Sequence, residues 1–260
     1  MFYHNLSPTL FKIGSFEIRY YGLIFALGFI IAYFMIPKIA KIRGLNFSKD
    51  DTADFLLYIL VGAILGARII YVVVYNFSYY FENPLEVFAL WHGGLSFHGG
   101  LIGAIIAGWF FCRKKKFDFL ELADIVAVPL ALGLVFGRIA NFINGELVGR
   151  ISNVSWAVKF PCCEGFRHPS QIYESLKNLI IFVTLWNLKD KKIRKGTMFF
   201  TFLLMYSGLR FFVEFFREPD PQLGFVFFGL TMGQVLNMVM FALSIFSIVY
   251  IQKTKNQSGI

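Results

Sequence analysis

The sequence predicts an all-α fold: a polytopic membrane helical bundle of about seven transmembrane helices, with the N-terminus outside and the C-terminus in the cytoplasm. Three observations carry this. The 260 residues are 57% hydrophobic, with 33 phenylalanines and only 16% charged residues. Runs of about 20 apolar residues recur, each long enough to cross a hydrocarbon core of about 30 Å. The basic residues fall on alternate connections between those runs.

The spans are placed at about 18–37, 53–75, 94–112, 119–141, 171–188, 197–216 and 226–250. Connections after the first, third, fifth and seventh hold fifteen of the 25 basic residues: Lys38, Lys41, Arg43 and Lys49; Arg113 to Lys116; Lys189, Lys191, Lys192, Arg194 and Lys195; Lys253 and Lys255. The opposite side holds six, namely Lys12, Arg19, Arg150, Lys159, Arg167 and Arg217. An excess of Lys and Arg marks the cytoplasmic face, so the span number is odd. The net charge of +9 therefore reads as topology and contact with anionic lipid, and no nucleic-acid partner is expected. Short loops leave room for a single transmembrane domain over residues 1–260. The first 17 residues lack the compact apolar core of a cleavable signal peptide, which leaves targeting to the first span.

Of three cysteines, Cys112 lies beside a basic cluster. Cys162 and Cys163 are adjacent, where an unstrained mutual disulfide is rare. No metal-type spacing is present, so no metal site is expected.

Arg68, Arg138, Lys177 and Arg210 lie within the predicted spans. A charge near the bilayer centre costs roughly 2.5–3.5 kcal/mol, so such residues face a polar interior and a partner. Direction of travel sets their depth. Arg138 and Asn141 end the fourth span, Arg210 and Glu214 end the sixth, His98 lies about one turn into the third, and Tyr20 and Tyr21 open the first. Arg68 falls in the outer half of the second. All converge on the outer half of the membrane; Lys177 is the main ambiguity.

Tyr206, Arg210 and Glu214 are spaced i, i+4, i+8 and share one helix face, so Arg210 and Glu214 can pair, either as a structural lock or as part of a site. His98 stands between paired glycines in His92–Gly103, which permits close approach to its imidazole. Gly99 and Gly103 also read as a G-x-x-x-G packing pair. The stretch Gly137–Arg150 gathers Arg138, Asn141, Asn144, Glu146, Gly149 and Arg150 where the fourth span stops, and its Asn and Gly residues predict a turn back over the bundle. His168–Ser175 opens the fifth span, with Pro169 near the first turn. Glu174 there reads as a complement to the helix dipole.

These segments, taken together, resemble the prolipoprotein diacylglyceryl transferase family of bacteria. The resemblance covers nearly the whole chain: Tyr20-Tyr21-Gly22, GARIIYV around Arg68, GGLSFHGGLIG around His98, GRIANFINGELVGR, HPSQIYE and YSGLRFFVEFFREPD occur in the expected order. His92 and a short 150–167 loop depart mildly from the pattern. The resemblance implies a single transmembrane catalytic domain in the bacterial cytoplasmic (inner) membrane. Its implied reaction moves the sn-1,2-diacylglyceryl group of phosphatidylglycerol to the lipobox cysteine thiol in a prolipoprotein signal peptide. A thioether forms and glycerol 1-phosphate leaves, with no cofactor.

For that chemistry the sequence offers Arg138 and Arg210 as a fork of donors for the phosphate. His98 is a candidate base for the thiol, although the arginines could lower the thiol pKa unaided. Tyr21, Arg68, Asn141, Asn144, Glu146, Gly149, Tyr206 and Glu214 are candidate substrate-binding residues. Two other classes stay open on residues alone. A transporter predicts polar residues through both membrane halves and broken central helices; a lipid-binding scaffold without chemistry predicts that both arginines are dispensable.

Overall fold

A computed structural model describes residues 1–14, 16–219, 224–227 and 229–254. Lys255 and Asp220, both used in the sequence reading, lie outside the described residues. Helices dominate: α1 Tyr20–Ile42, α2 Lys49–Ile70, α3 Phe77–Glu82, α4 Phe97–Lys115, α5 Phe119–Asn144, α6 Ser170–Leu188, α7 Thr197–Val213 and α8 Met232–Lys253. Five helical segments, 20–42, 49–75, 119–144, 197–216 and 232–253, are long and apolar enough to cross a membrane. Their large apolar residues lie outward, as Leu23, Phe25, Leu27, Ile30 and Phe34 do on α1. That is the reverse of a water-soluble core and fits a membrane helical protein. Helices α4 and α6, 19 residues each, occupy the other two predicted spans but carry more polar side chains.

The fold is not purely helical. The connections contain short strands: β1 Phe2–Tyr3, β2 Thr9–Ile13, β3 Phe16–Arg19, β4 Val158–Lys159, β5 Phe166–Arg167, β6 Phe225–Phe227 and β7 Leu230–Thr231. β1 pairs in parallel with β4, which pairs antiparallel with β5; β2–β3 and β6–β7 are hairpins. Helical periodicity does not register such two- to five-residue pieces. Between β4 and β5, a turn places Cys162 and Cys163 side by side with their sulfurs in contact.

The chain forms two compact units, residues 45–122 and residues 1–44 with 123–260. In the 45–122 unit, α2 starts with a capping box in which Ser48 and Asp51 satisfy each other's backbone amides. Its Gly62 and Gly66 lie against Gly99 and Gly103 of α4, where an added Cβ would strike the facing backbone. Two G-x-x-x-G faces thus bring the helices together.

Arg68, buried near the end of α2, has no carboxylate partner among the described residues. Its guanidinium donates to the carbonyls of Val87 (2.8 Å), Gly93 (2.6 Å), Gly94 (3.1 Å), Ala89 (3.2 Å) and Glu86, and lies over the Tyr80 ring. Gly93 and Gly94 adopt φ of +80° and +77°, a conformation open to glycine that turns their carbonyls onto Arg68. One side chain thereby organises the 86–94 segment.

In the other unit, α7 begins at Gly196 (φ +86°) with no capping side chain of its own. Asp124 of α5 supplies the cap: its carboxylate accepts from the Gly196 amide (2.9 Å) and the Phe199 amide (2.8 Å) and pairs with Arg43 (3.2 Å). An anion at a helix N-terminus meets both the orphan amides and the dipole. Asp124→Asn keeps part of the hydrogen bonding but loses the charge. It is expected to destabilise the protein by about 1–3 kcal/mol, read as a lower unfolding temperature in detergent.

Candidate active site

The end of the 1–44/123–260 unit opposite Asp124 carries the polar residues. Helix α5 terminates in a Schellman motif: the Glu146 amide bonds the Asn141 carbonyl (3.1 Å), the Gly145 amide bonds the Phe142 carbonyl (3.0 Å), and Gly145 takes φ +68°. This turns the chain back as expected. The Glu146 carboxylate returns to accept from Asn141 Nδ2 (2.7 Å) and Asn144 Nδ2 (3.3 Å). The turn is held from α6, where Ser170 Oγ donates to the Leu147 carbonyl (2.8 Å) and Gln171 Nε2 to the Glu146 carbonyl (2.6 Å). Leu147 sits at φ +57°, an uncommon conformation for a residue with a bulky side chain.

Gly149 follows in a crossing too tight for any side chain. A Cβ there would strike the His168 carbonyl, the Phe216 carbonyl and the His168 side chain. Its amide donates to the His168 carbonyl (3.0 Å), and it bridges antiparallel to Arg217. Burial pushes the His168 imidazole below its ordinary pKa, and its Nδ1 lies 3.0 Å from the Tyr173 hydroxyl.

Beneath this cap the charges meet on one carboxylate. Glu174, 2% exposed, points Oε1 at Arg210 Nη1 (2.7 Å) and Oε2 at Lys177 Nζ (2.9 Å), with Arg138 Nε 3.6 Å from Oε2. The reading of Glu174 as a dipole complement is thereby corrected. Its position in the second turn of α6 places it between α5 and α7, where the arginines of both reach it. Arg210 Nη1 also pairs with Glu214 Oε2 (2.6 Å), the i, i+4 contact that the sequence anticipates. Glu214 Oε1 accepts from Thr231 Oγ1 (3.1 Å). Thr231 in turn forms the capping box of α8 with Gln234, so that cap also anchors the carboxylate. Arg138 Nη1 reaches Asn141 Oδ1 at 3.4 Å. Tyr206, one turn before Arg210, presents its ring face 3.8 Å from the Lys177 ammonium.

The structure thus brings together Arg138, Asn141, Asn144, Glu146, Arg210 and Glu214, with Tyr206 joined through Lys177. Tyr21 is exposed on the first turn of α1 and has no hydrogen bond to this cluster among the described residues. Arg68 and His98 belong to the 45–122 unit. His98 is exposed on the first turn of α4, where Ser96 provides the N-cap. Sequence reasoning singled out Lys177 as an in-span cation that needs a partner without placing it in the site, and it did not identify Gln171 and Thr231. The signal for α6 was present: Gln171, Glu174 and Asn178 recur at i, i+3 and i+7, a polar stripe on an otherwise apolar helix.

Chemically, the cluster has the guanidinium donors that an anion receptor needs. Both carboxylates that hold Arg210 use one nitrogen, Nη1, so its Nε and Nη2 have no partner among the described residues. Arg138 is held loosely, and its side chain is 20% exposed. Two guanidinium groups on one buried carboxylate, with donors to spare, suit a phosphate. No group of three or more His, Cys, Asp or Glu that could hold a metal ion occurs among the described residues.

The family model for prolipoprotein diacylglyceryl transferase matches residues 8–250. A phosphatidylglycerol–prolipoprotein diacylglyceryl transferase of Geobacter sulfurreducens is 45% identical over 257 residues, 98% of this chain and 99% of that one. Proteins of the same name from Legionella pneumophila (43% over 246 residues, 94% and 96%) and Rickettsia bellii (42% over 254 residues, 96% and 97%) are also similar. The match spans both arginines, the turn after α5 and the buried carboxylate that joins them, and the chain belongs to the prolipoprotein diacylglyceryl transferase family.

Proposed function

We propose that this protein is a phosphatidylglycerol–prolipoprotein diacylglyceryl transferase, carrying out the first step of bacterial lipoprotein maturation. The observation that carries the reading is the pair Arg138 and Arg210, held on Glu174 with unspent donors. The electrophile is the sp³ carbon of the diacylglyceryl group that bears the phosphate ester. Attack by the lipobox thiol forms the C–S bond and breaks the C–O bond, and the electron pair leaves on the phosphate of glycerol 1-phosphate. Arg138 and Arg210 bind that phosphate and stabilise the charge that develops on it. Glu214 fixes Arg210. Asn141, set by Glu146 and supported by Asn144, orients the headgroup or the leaving oxygen. Gly149 keeps the return loop close over the turn, and Tyr206 supports Arg210 by way of Lys177.

His98 takes the thiol proton. Its exposure at a helix start, flanked by Gly99 and Gly100, supports this part. Tyr21 positions the headgroup or the signal peptide. Arg68 acts by shaping the 86–94 segment. The chain is proposed to work as a single catalytic domain over residues 1–260. It would span the bacterial inner membrane seven times, α4 and α6 included, with the N-terminus outside, the C-terminus in the cytoplasm and the site on the outer side. The charge asymmetry of the connections supports this orientation.

The test is to incubate purified protein with phosphatidylglycerol and a lipobox peptide, and to follow lipidated peptide and released glycerol 1-phosphate. Absence of both products, alongside an active reference enzyme, rejects the assignment. His98→Gln is expected to lower turnover by about 10²–10⁴-fold near neutral pH. Full activity of that variant from pH 6 to 9 removes His98 as the base.

A further inference from the structure

Lys177 is the buried cation for which the reaction as described has no chemical task. It is 3% exposed in α6, one turn after Glu174. Its ammonium lies 2.9 Å from Glu174 Oε2 and 3.8 Å from the centre of the Tyr206 ring. Among the described residues, Glu174 is its ion-pair partner.

The oxygen it occupies is the one that faces Arg138. Arg138 Nε stands 3.6 Å from Glu174 Oε2, beyond ordinary hydrogen-bond length, whereas Arg210 holds Oε1 at 2.7 Å. Two cations therefore compete for one carboxylate oxygen, and the lysine holds it. The geometry points to Lys177 as a positioning residue that keeps Arg138 free for the substrate phosphate by occupying Glu174 Oε2 in its place. This inference rests on the proposed transferase reading.

The charge count gives the same answer. Arg138, Lys177, Arg210 and Arg217 oppose Glu146, Glu174 and Glu214, which leaves one positive charge for a phosphodiester of charge −1. Without Lys177 the remaining six groups sum to zero, and Glu174 can draw Arg138 into a closed ion pair. A guanidinium with a full carboxylate partner is a poorer phosphate ligand, because binding then requires that pair to be broken. Tyr206 contributes by steadying the ammonium through its ring face.

The experiment compares wild type, Lys177→Met, Lys177→Arg and the double variant Glu174→Gln/Lys177→Met, with phosphatidylglycerol varied in mixed micelles at saturating lipobox peptide. Methionine matches the length and apolar stem of lysine, and Glu174 keeps Arg210 as its ion-pair partner when the lysine charge is removed. Lys177→Met is expected to raise the KM for phosphatidylglycerol by about tenfold or more, the scale of one charged hydrogen bond, with kcat changed less. Lys177→Arg should recover part of the loss. The double variant should have a lower KM than Lys177→Met, because a neutral glutamine no longer captures Arg138. A role in packing alone predicts the opposite order, with the double variant worse. Unchanged KM in Lys177→Met, or a double variant no better than the single, overturns the inference while wild-type activity leaves the transferase reading intact. If Lys177→Met does not fold, KM in Lys177→Arg against Lys177→Gln decides by the same criterion: equal values overturn it. Inactive wild type, by contrast, overturns the transferase reading and this inference with it.

Discussion

Arg210→Lys is expected to reduce kcat/KM for phosphatidylglycerol by about 10²–10³-fold with the fold retained. On the proposed reading, Arg210 performs two tasks with different atoms. Nη1 is committed to Glu174 and Glu214, and the rest of the fork is left for the phosphate. A lysine keeps the charge but has a single nitrogen on a shorter, flexible stem. It cannot bridge two carboxylates and also present a planar pair of donors. The check is steady-state kinetics together with an unfolding curve in detergent. Activity within threefold of wild type would remove Arg210 from the phosphate clamp and leave it as a structural lock.

The second large effect is on stability. Glu174→Ala leaves Lys177 and Arg210 buried without the carboxylate they share, while Arg210 retains Glu214. Removing one partner from a buried ionic group costs about 3–5 kcal/mol, since the remaining charge stays out of water. An unfolding temperature lower by roughly 10 °C is the expected scale. Glu174→Gln should cost less, because an amide oxygen still accepts from Arg210. Equal stability of the alanine variant and wild type would mean that water or lipid headgroups replace the carboxylate, and that the cluster is more open than its burial indicates.

How far the sequence carries can be judged from these same residues. The i, i+4 pairing of Arg210 and Glu214 was legible because both lie on one helix, where spacing determines contact. The turn after α5 was legible because Asn and Gly announce it. Glu174 was not, since its partners come from α5 and α7 and Arg210 lies 36 residues away. A contact between helices needs rotation and depth as well as periodicity. The partners of Arg68 were hidden for another reason: they are backbone carbonyls, which carry no side-chain signature, and two positive-φ glycines aim them. The facing pair Gly62 and Gly66 was readable in principle, by the rule applied to Gly99 and Gly103. The short strands fell below the length at which alternation can be seen.

The cap on α7 also bears on how the chain is made. Synthesis runs from the N-terminus, so Arg43 exists before Asp124, and Asp124 before Gly196 and Phe199. The aspartate is therefore made after the arginine it pairs with in the folded protein. When α7 arrives, about 70 residues later, its first amides meet an acceptor already in place. The order of translation thus matches the order in which these three groups need one another.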